Sequence, residues 1–298
     1  MLSNINLPFE LQRLLENLIA VPNNLRAATS NYLNESSNVN VHGEQSMQLD
    51  LFANDLVKES LIGLDFIHSI ASEEEDELIY MNTNGKYLLC FDPLDGSSLI
   101  NTNQAVGIVF ALYDKDKVFK VPLKESLIMS FYFHIGKNNS LLINYKDNIT
   151  HLEYLDDEFH IKDVNTINED ANNIAPGNLK LLSTNTRYKD YILSRLESGL
   201  KLRYFACLIS DIHFLLSKAG GIFIYLNDDK HVNGKLRLLY EVAPVSHIIC
   251  ALNAKSINHT GQNILDLIPS NIHQNSSLIA GSPSEVDLFT ELVLNIKE

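Results

Sequence analysis

Residues 87–98 read YLLCFDPLDGSS, and this stretch decides how the rest of the chain is interpreted. A continuous apolar run ends abruptly at Asp92, and small polar residues follow it. Such short apolar runs are typical of strands that are buried on both faces. Open α/β sheets place their ligands at the carboxyl ends of such strands. We therefore expect a buried strand that delivers a functional polar loop.

Two aspartates lie at the end of this strand, and only Pro93 and Leu94 separate Asp92 from Asp95. A turn between them allows both carboxylates, together with the Leu94 carbonyl, to point at one place, and Mg²⁺ prefers such oxygen ligands. The small residues 96–98 offer backbone N–H groups that suit a phosphate dianion. A β-turn alone explains an Asp-Gly pair, but not a second aspartate and paired serines directly after an apolar strand.

Further carboxylates are weaker signals when each is taken alone. Residues 72–77 read SEEEDE, and such an acidic run is more often a solvated surface than a site. Glu241 follows three apolar residues, so we expect it to be buried, where it needs a cation or a proton. A place near a helix N-terminus would also stabilise this glutamate.

Composition narrows the classes of partner. The chain has 298 residues, a net charge of −14 and three cysteines. An acidic balance disfavours nucleic acid and anionic membranes as main partners, whereas a bound divalent cation still permits a phosphorylated substrate. Cys90, Cys207 and Cys250 form no C-x-x-C pair and are interpreted as buried free thiols. Neither a signal peptide nor a membrane span is expected, so we predict a cytoplasmic protein.

The pattern of apolar residues predicts alternating helices and strands with some antiparallel pairs, a fold of the α/β class. Predicted strands and hairpin strands are 87–91, 106–113, 126–136, 141–145, 149–154, 180–183 and 222–226. Predicted helices lie near 11–19, 49–56, 188–198 and 211–219, and a further helix begins near 244, with a polar loop over about 29–48. A polar stretch over 163–178 predicts two domains, 1–175 and 176–298.

The motif DPLDGS resembles the signature of the lithium-sensitive, Mg²⁺-dependent phosphomonoesterases. Longer stretches from about Gly43 to Asp287 resemble class I fructose-1,6-bisphosphatase: LDLFANDLV at 49, SEEE at 72, GKYLLCFDPLDGSS at 85, GGIFIY at 220, NGKLRLLYE at 233 and DLIPSNIHQ at 266. This resemblance implies a layered αβαβα fold and hydrolysis of the 1-phosphate of fructose 1,6-bisphosphate in gluconeogenesis. It also implies two or more Mg²⁺ ions per subunit, replaceable by Mn²⁺, and a homo-oligomer, in the family usually a tetramer.

The same resemblance implies a role for individual residues. The metal ligands would be Glu73, Asp92, the Leu94 carbonyl, Asp95 and Glu241. Water activation would fall to Asp50 and Glu74, assisted by Glu44, where the family usually has Asp. The 1-phosphate would be held by Gly96, Ser97, Ser98 and Arg237. The 6-phosphate would be held by Asn185, Tyr188, Tyr204, Tyr225 and Lys235, with Arg203 supplied by a neighbouring subunit.

Departures from the family pattern leave other hypotheses open. Leu99 and Asn101 replace residues that support a mobile loop, and Cys207 and Leu208 stand where Ser and Met are usual. Asp114 stands where an Arg usually holds the phosphate of AMP, so the N-terminal domain carries a degenerate AMP-site region and we predict weak or no AMP inhibition. The alternatives are a dual fructose and sedoheptulose bisphosphatase, and a non-catalytic metabolite- or cation-binding homologue.

Overall fold

The structure is a computed structural model that describes residues 5–35, 42–156 and 158–295, of which 30–35 and 42–47 are described by their backbone alone. Its helices are α1 Phe9–Leu18, α2 Val21–Glu35, α3 His42–Ser60, α4 Leu123–Ser126, α5 Thr186–Glu197, α6 Leu208–Ser217, α7 Ala243–Cys250 and α8 Pro283–Phe289. Its strands are β1 Ile67–Ser72, β2 Ile79–Tyr80, β3 Tyr87–Asp95, β4 Val106–Asp114, β5 Leu127–Ile135, β6 Asn139–Tyr145, β7 Asn148–Leu155, β8 Glu158–Lys162, β9 Asn173–Pro176, β10 Lys201–Leu202, β11 Ile222–Tyr225, β12 Leu236–Arg237, β13 Lys255–Ile257, β14 Asn275–Ser276 and β15 Leu278–Gly281.

An eight-stranded sheet in the order β2-β1-β3-β4-β5-β6-β7-β8 forms the second layer of the molecule. Successive side chains of a strand point to opposite faces of its sheet. In β3, Leu89 and Phe91 therefore pack against the N-terminal helices α1 and α3, whereas Leu88 and Cys90 face the other way, toward α6 and α7. Both faces of the central strands are buried, which explains the continuous apolar run in the sequence.

A five-stranded sheet in the order β10-β9-β11-β15-β13 forms the fourth layer. Helices α6 and α7 lie between the two sheets, and Phe223 and Ala280 of the second sheet pack against them. Ile222 and Ile279 point to the outer face, where Tyr191 of α5 and Phe289 of α8 cover them. The layers alternate helix, sheet, helix, sheet, helix, which confirms the predicted αβαβα arrangement.

Most predicted elements are present, and two predictions are wrong. The predicted strand 180–183 is a 3₁₀ helix, Leu179–Ser183, which follows Asn178 in a left-handed conformation; the true strand is β9, just before it. The predicted loop over 29–48 is helical at both ends, because α2 continues to Glu35 and α3 begins at His42. Polar helices of this kind carry few apolar residues, so the periodicity signal was weak.

The division into domains at 175/176 stays a prediction. That position falls inside β9, which pairs with β11 in the second sheet. In the described part of the chain, none of the helices is long and apolar enough to cross a membrane. Cys90 and Cys207 are buried free thiols, and Cys250 is a free thiol that is only partly buried.

Candidate active site

A β-bulge at the end of β3 turns two aspartates to the same side of the sheet. Asp92 pairs with Val109 and Asp95 pairs with Gly107, so three steps along β3 oppose two along β4. In a regular strand, residues three apart would point to opposite faces. The extra residue in the bulge corrects this offset, and both carboxylates reach the middle layer.

Glu241 approaches these aspartates from the middle layer itself. It belongs to a π-helical turn, Leu238–Val242, that leads into α7. Asp92, Asp95 and Glu241 each offer an oxygen, and the three oxygens lie within 4.8 Å of one another. We call these three residues the acidic cluster.

Burial and mutual repulsion raise the pKa values of the acidic cluster. Burial first, and then the charges of Glu73 and Asp95, raise the pKa of Asp92 well above its usual range. Burial and the charge of Glu73 have the same effect on the pKa of Glu241. Such a site is costly when ionised unless a cation enters it. Its oxygen donors fit a hard divalent ion such as Mg²⁺ or Mn²⁺.

Asp95 is also held by the N-terminal turn of α6. Its carboxylate accepts hydrogen bonds from the backbone N–H groups of Leu208 and Ile209, at 3.2 and 2.5 Å. The thiol of Cys207 donates to the same carboxylate over 3.1 Å. The second sheet's connection to α6 therefore fixes an acid that belongs to the first sheet.

The acidic run splits into residues inside and outside the cavity. Glu73 and Glu74 line the cavity, and the Glu73 carboxylate lies 3.6 Å from the Arg237 guanidinium. Glu75 instead forms an ion pair with Lys58 at 2.7 Å, away from the acidic cluster. Burial raises the pKa of Glu73 even with Arg237 beside it. The cavity thus includes the two glutamates to which the family resemblance gives roles, and Glu75 is not among its lining residues.

Asp50, on α3, lies at the rim of the same cavity. Burial raises its pKa to about 7, and a hydrogen bond with Ser97 opposes that rise. A carboxylate with a pKa near neutrality suits a general base. Glu44, the other predicted acid of this segment, has a side chain that lies outside the described residues.

Gly96 permits the polar loop to lie close to α6. Its φ is +86°, and a Cβ there would come within 2.8 Å of the Cys207 Cβ. A 3₁₀ helix, Ser97–Thr102, follows directly and brings Ser97 and Ser98 into the cavity lining. Only glycine combines that conformation with that contact.

The cavity has a volume of about 480 Å³ and joins most of the predicted residues. Its lining includes Asp50, Glu73, Glu74, Asp92, Leu94, Asp95, Gly96, Ser97, Ser98, Tyr204, Tyr225, Lys235 and Glu241. Burial raises the pKa of Tyr204 to about 12, so its hydroxyl stays protonated and can donate to an anion. Acidic and anion-binding groups therefore face one space.

Among the predicted residues whose side chains the structure describes, four do not line the cavity. Asn185 caps α5 by accepting from the Tyr188 N–H, and the Tyr188 hydroxyl donates to the Gly177 carbonyl at 2.9 Å. Arg203 is exposed beside the edge strand β10. Arg237 donates to Asn275 Oδ1 at 2.9 Å and lies beside Glu73. Their proposed contacts with phosphate stay predictions.

Sequence reasoning missed Asp211, which also lines the cavity. Its Oδ1 accepts from the Phe205 N–H at 2.9 Å, and burial raises its pKa to about 7. It thereby braces the segment around Ala206, which adopts a left-handed φ of +60°. The available signal in the sequence was the position of Asp211, an acid in the first turn of a helix that begins shortly after the predicted site residue Tyr204.

Comparisons with known proteins agree with this geometry. Profiles described as "Fructose-1-6-bisphosphatase, N-terminal domain" and "Fructose-1-6-bisphosphatase, C-terminal domain" match residues 4–130 and 167–294. The fructose-1,6-bisphosphatase class 1 of Campylobacter curvus is 31% identical over 86% of this chain and 85% of its own length. A class 1 relative from Pseudoalteromonas translucida is 32% identical over 88% of this chain and 85% of its own length.

A solved structure is similar across nearly the whole chain. The Leishmania major fructose-1,6-bisphosphatase in its holo form superimposes with a TM-score of 0.82 at 25% identity, covering 97% of this chain and 96% of the other. The similarity extends over both sheets and the middle layer that carries the acidic cluster. The chain belongs to the class 1 fructose-1,6-bisphosphatase family.

Proposed function

We propose that this protein hydrolyses the 1-phosphate of fructose 1,6-bisphosphate to fructose 6-phosphate and inorganic phosphate, with Mg²⁺ as its cofactor. The acidic cluster carries the proposal: three carboxylate oxygens within 4.8 Å, inside a cavity that also presents Ser97, Tyr204 and Lys235. Family membership supports the choice of substrate. In the cell, this reaction would serve gluconeogenesis in the cytoplasm.

The residues of the cavity divide into a metal-holding set and a phosphate-holding set. The ligands would be Glu73, Asp92, the Leu94 carbonyl, Asp95 and Glu241, which are oxygen donors of the kind that Mg²⁺ takes. When bound, Mg²⁺ supplies charge neutralisation at the phosphoryl group and a lower pKa for bound water. Ser98 offers its hydroxyl to the 1-phosphate, and Ser97 and Ser98 both offer backbone N–H donors.

Asp50 is the proposed general base. Its pKa of about 7 leaves a large share of the carboxylate free to accept a proton at neutral pH. The Ser97 hydroxyl, which bonds to it, holds the carboxylate toward the cavity. Glu74 is the proposed second acid of this step, and Glu44 would assist from the start of α3.

A second anion-binding group would hold the 6-phosphate. Tyr204, Tyr225 and Lys235 line the side of the cavity that is formed by the second sheet and the loop before β12. Asn185 and Tyr188 would support them from α5. Arg203 is exposed, as it must be to reach the site of a neighbouring subunit. With the family resemblance, this supports the proposal of a homotetramer. Light scattering on the purified protein would test it.

AMP is not expected to regulate this protein. Lys86 is paired with Glu10 at 3.1 Å, and Asp114 lies 3.7 Å from Lys117. A phosphate dianion near Asp114 would meet a like charge. Assays with fructose 1,6-bisphosphate over a range of AMP should show weak or no inhibition, and half-inhibition at micromolar AMP would contradict this expectation.

The first experiment measures inorganic phosphate released from fructose 1,6-bisphosphate with Mg²⁺ and with EDTA. We expect rapid release with Mg²⁺, little with EDTA, and little from fructose 6-phosphate, which lacks the 1-phosphate. Sedoheptulose 1,7-bisphosphate, assayed in parallel, measures substrate breadth. Protein that is folded but releases no phosphate with Mg²⁺ would contradict the proposal and favour a non-catalytic role.

A further inference from the structure

Asp95 accepts more hydrogen bonds than the other members of the acidic cluster. Asp92 accepts from the Leu94 N–H, and Glu241 accepts from the Arg237 N–H. Asp95 Oδ1 instead accepts from the Leu208 N–H, and its Oδ2 accepts from both the Ile209 N–H and the Cys207 thiol. Three donors on one carboxylate leave it little freedom to turn.

The acceptor sites of Asp95 can be counted. Each oxygen of a carboxylate offers about two lone-pair sites. Oδ2 uses both of its sites on Ile209 and Cys207, and Oδ1 uses one on Leu208. Within residues 5–29, 48–156 and 158–295 we find no other hydrogen bond to this carboxylate. The acceptor site that remains lies on Oδ1.

We propose that Cys207 is a positioning residue that confines Asp95 to one-oxygen ligation through Oδ1 and thereby makes the site favour Mg²⁺ over Ca²⁺. Mg²⁺ requires a near-octahedral set of single oxygens, whereas Ca²⁺ accepts more ligands and often takes both oxygens of one carboxylate. A carboxylate whose Oδ2 is already satisfied cannot chelate without losing a hydrogen bond. This inference rests on the divalent-cation site of the proposed function.

The thiol is held rigidly enough for this task. Cys207 is the N-cap of α6, where its Sγ accepts from the Ser210 N–H at 3.4 Å. Its exposed fraction is only 1%, and Gly96 packs directly against its Cβ. A thiol is a weak donor, so the effect should be moderate. A serine hydroxyl is small enough to occupy the same place and is a better donor.

Calorimetric titration of Mg²⁺ and Ca²⁺ into four proteins tests the inference: the wild type, Cys207→Ala, Cys207→Ser and Cys250→Ala. Cys250, whose thiol contacts Ser256 and does not line the cavity, is the matched control. In Cys207→Ala we expect the Kd ratio of Mg²⁺ to Ca²⁺ to rise by about 3- to 10-fold, the effect of one hydrogen bond. Cys207→Ser and Cys250→Ala should keep the wild-type ratio.

A crystal structure of the wild type with Mn²⁺ gives an independent answer that requires no variant to fold. The ion should contact Asp95 through Oδ1 alone, and contact through Oδ2 or through both oxygens would overturn the inference. An unchanged ratio in folded Cys207→Ala would do the same, as would equal shifts in the Ala and Ser variants, because volume would then be the cause. A wild type that binds neither cation would overturn the proposed function as well.

Discussion

Helix α6 lies between two groups of buried or partly buried ionisable side chains, and loss of contact with water disfavours the charged form in both groups. Its first turn binds Asp95 of the acidic cluster, and its later turn carries His213, which stacks on His134 with ring centroids 4.3 Å apart. His151 approaches the His213 ring at 5.7 Å, and the Tyr132 hydroxyl lies 3.1 Å from His213 Nδ1. We call His134, His151 and His213 the histidine cluster.

Burial favours the neutral form in both clusters, but by opposite shifts. It raises the pKa of each carboxyl group in the acidic cluster, and it lowers the pKa of His134 to about 4 and of His213 to about 3. Imidazoles are thereby uncharged at neutral pH without any partner ion. Carboxyl groups whose oxygens lie within 4.8 Å of one another and face a cavity can instead be stabilised by a cation.

The spacing of ligand atoms decides which cluster can hold a metal. Among the residues whose side chains the structure describes, only the acidic cluster brings three such atoms within 4.8 Å of one another. The histidine rings are spread over β5, β7 and α6 and are packed as rings rather than aimed at one point. The comparison shows that burial of ionisable groups does not by itself create a metal site. The ligand atoms must also converge on a space that an ion can enter.

The largest expected effect is the loss of activity when Glu241, a carboxylate proposed to need a bound cation, is replaced. Glu285, which already has an arginine partner, provides the comparison. In Glu241→Gln, Mg²⁺-dependent phosphate release should fall on the order of 100-fold, as when other electrostatic groups are removed from active sites. Its free energy of unfolding in EDTA should not fall, because a repulsive charge is lost. Enzyme assays and urea unfolding measure the two quantities.

Glu285→Gln is the matched control for that variant. Glu285 is buried, but Arg195 lies 2.8 Å away and the Tyr191 hydroxyl donates to it. Removing one partner of a buried ion pair should cost about 3–5 kcal/mol of unfolding free energy and leave kcat near the wild-type value. If Glu241→Gln instead lost stability and kept its activity, the contrast between the two carboxylates would be wrong.

The intermediate effect concerns acid stability. A histidine whose folded pKa lies below its unfolded value of 6.5 contributes stability that is present above that value and is lost as the pH falls toward the folded pKa. His134 and His213 should each remove on the order of 2–4 kcal/mol of unfolding free energy between about pH 6.5 and 4, whereas the raised pKa values of the acidic cluster act in the opposite direction. Urea unfolding across this range measures it.

His213→Phe keeps an aromatic ring at the centre of the histidine cluster and removes one titrating group. The unfolding free energy of the variant, measured relative to that of the wild type, should therefore rise as the pH falls below 6.5. His160→Gln changes an exposed histidine on β8 and is the matched control. Equal slopes in all three proteins would show that the histidine cluster does not sense acid.

The smallest effect is the shift of the melting temperature by Mg²⁺. An ion at 100 times its Kd stabilises the folded state by about 2.7 kcal/mol, which for a chain of this size corresponds to roughly 5 °C. Differential scanning calorimetry with Mg²⁺ and with EDTA should show this shift in the wild type and in His213→Phe. The shift should vanish in Glu241→Gln, and its survival there would argue against cation binding by the acidic cluster.

Local sequence patterns could predict individual strands and helices, but not the register in which neighbouring strands pair. The strand from Tyr87 was predictable because burial on both faces requires a continuous apolar run. The β-bulge after Asp92 was not, because it is defined only by pairing with β4. The 3₁₀ helix Leu179–Ser183 was mistaken for a strand, since a short apolar run does not distinguish the two.

The candidate site shows the same limit. Asp92, Asp95 and Glu241 could be singled out from their own neighbourhoods, and family motifs then indicated Glu73 and Asp50. The thiol of Cys207 on Asp95 lies 112 residues away along the chain, so no local pattern reports it. The three histidines are likewise on separate elements and drew no prediction.

The sequence by itself determined the family, the layered class of fold and most of the acids that line the candidate site. These are carried by residues that are neighbours along the chain, where periodicity and motif spacing act. Only the tertiary structure decided which oxygens converge, which acids stay outside, and that α6 fixes Asp95 while burying His213. Convergence depends on distances between elements that are remote in sequence, and packing of the two sheets against the middle layer sets those distances.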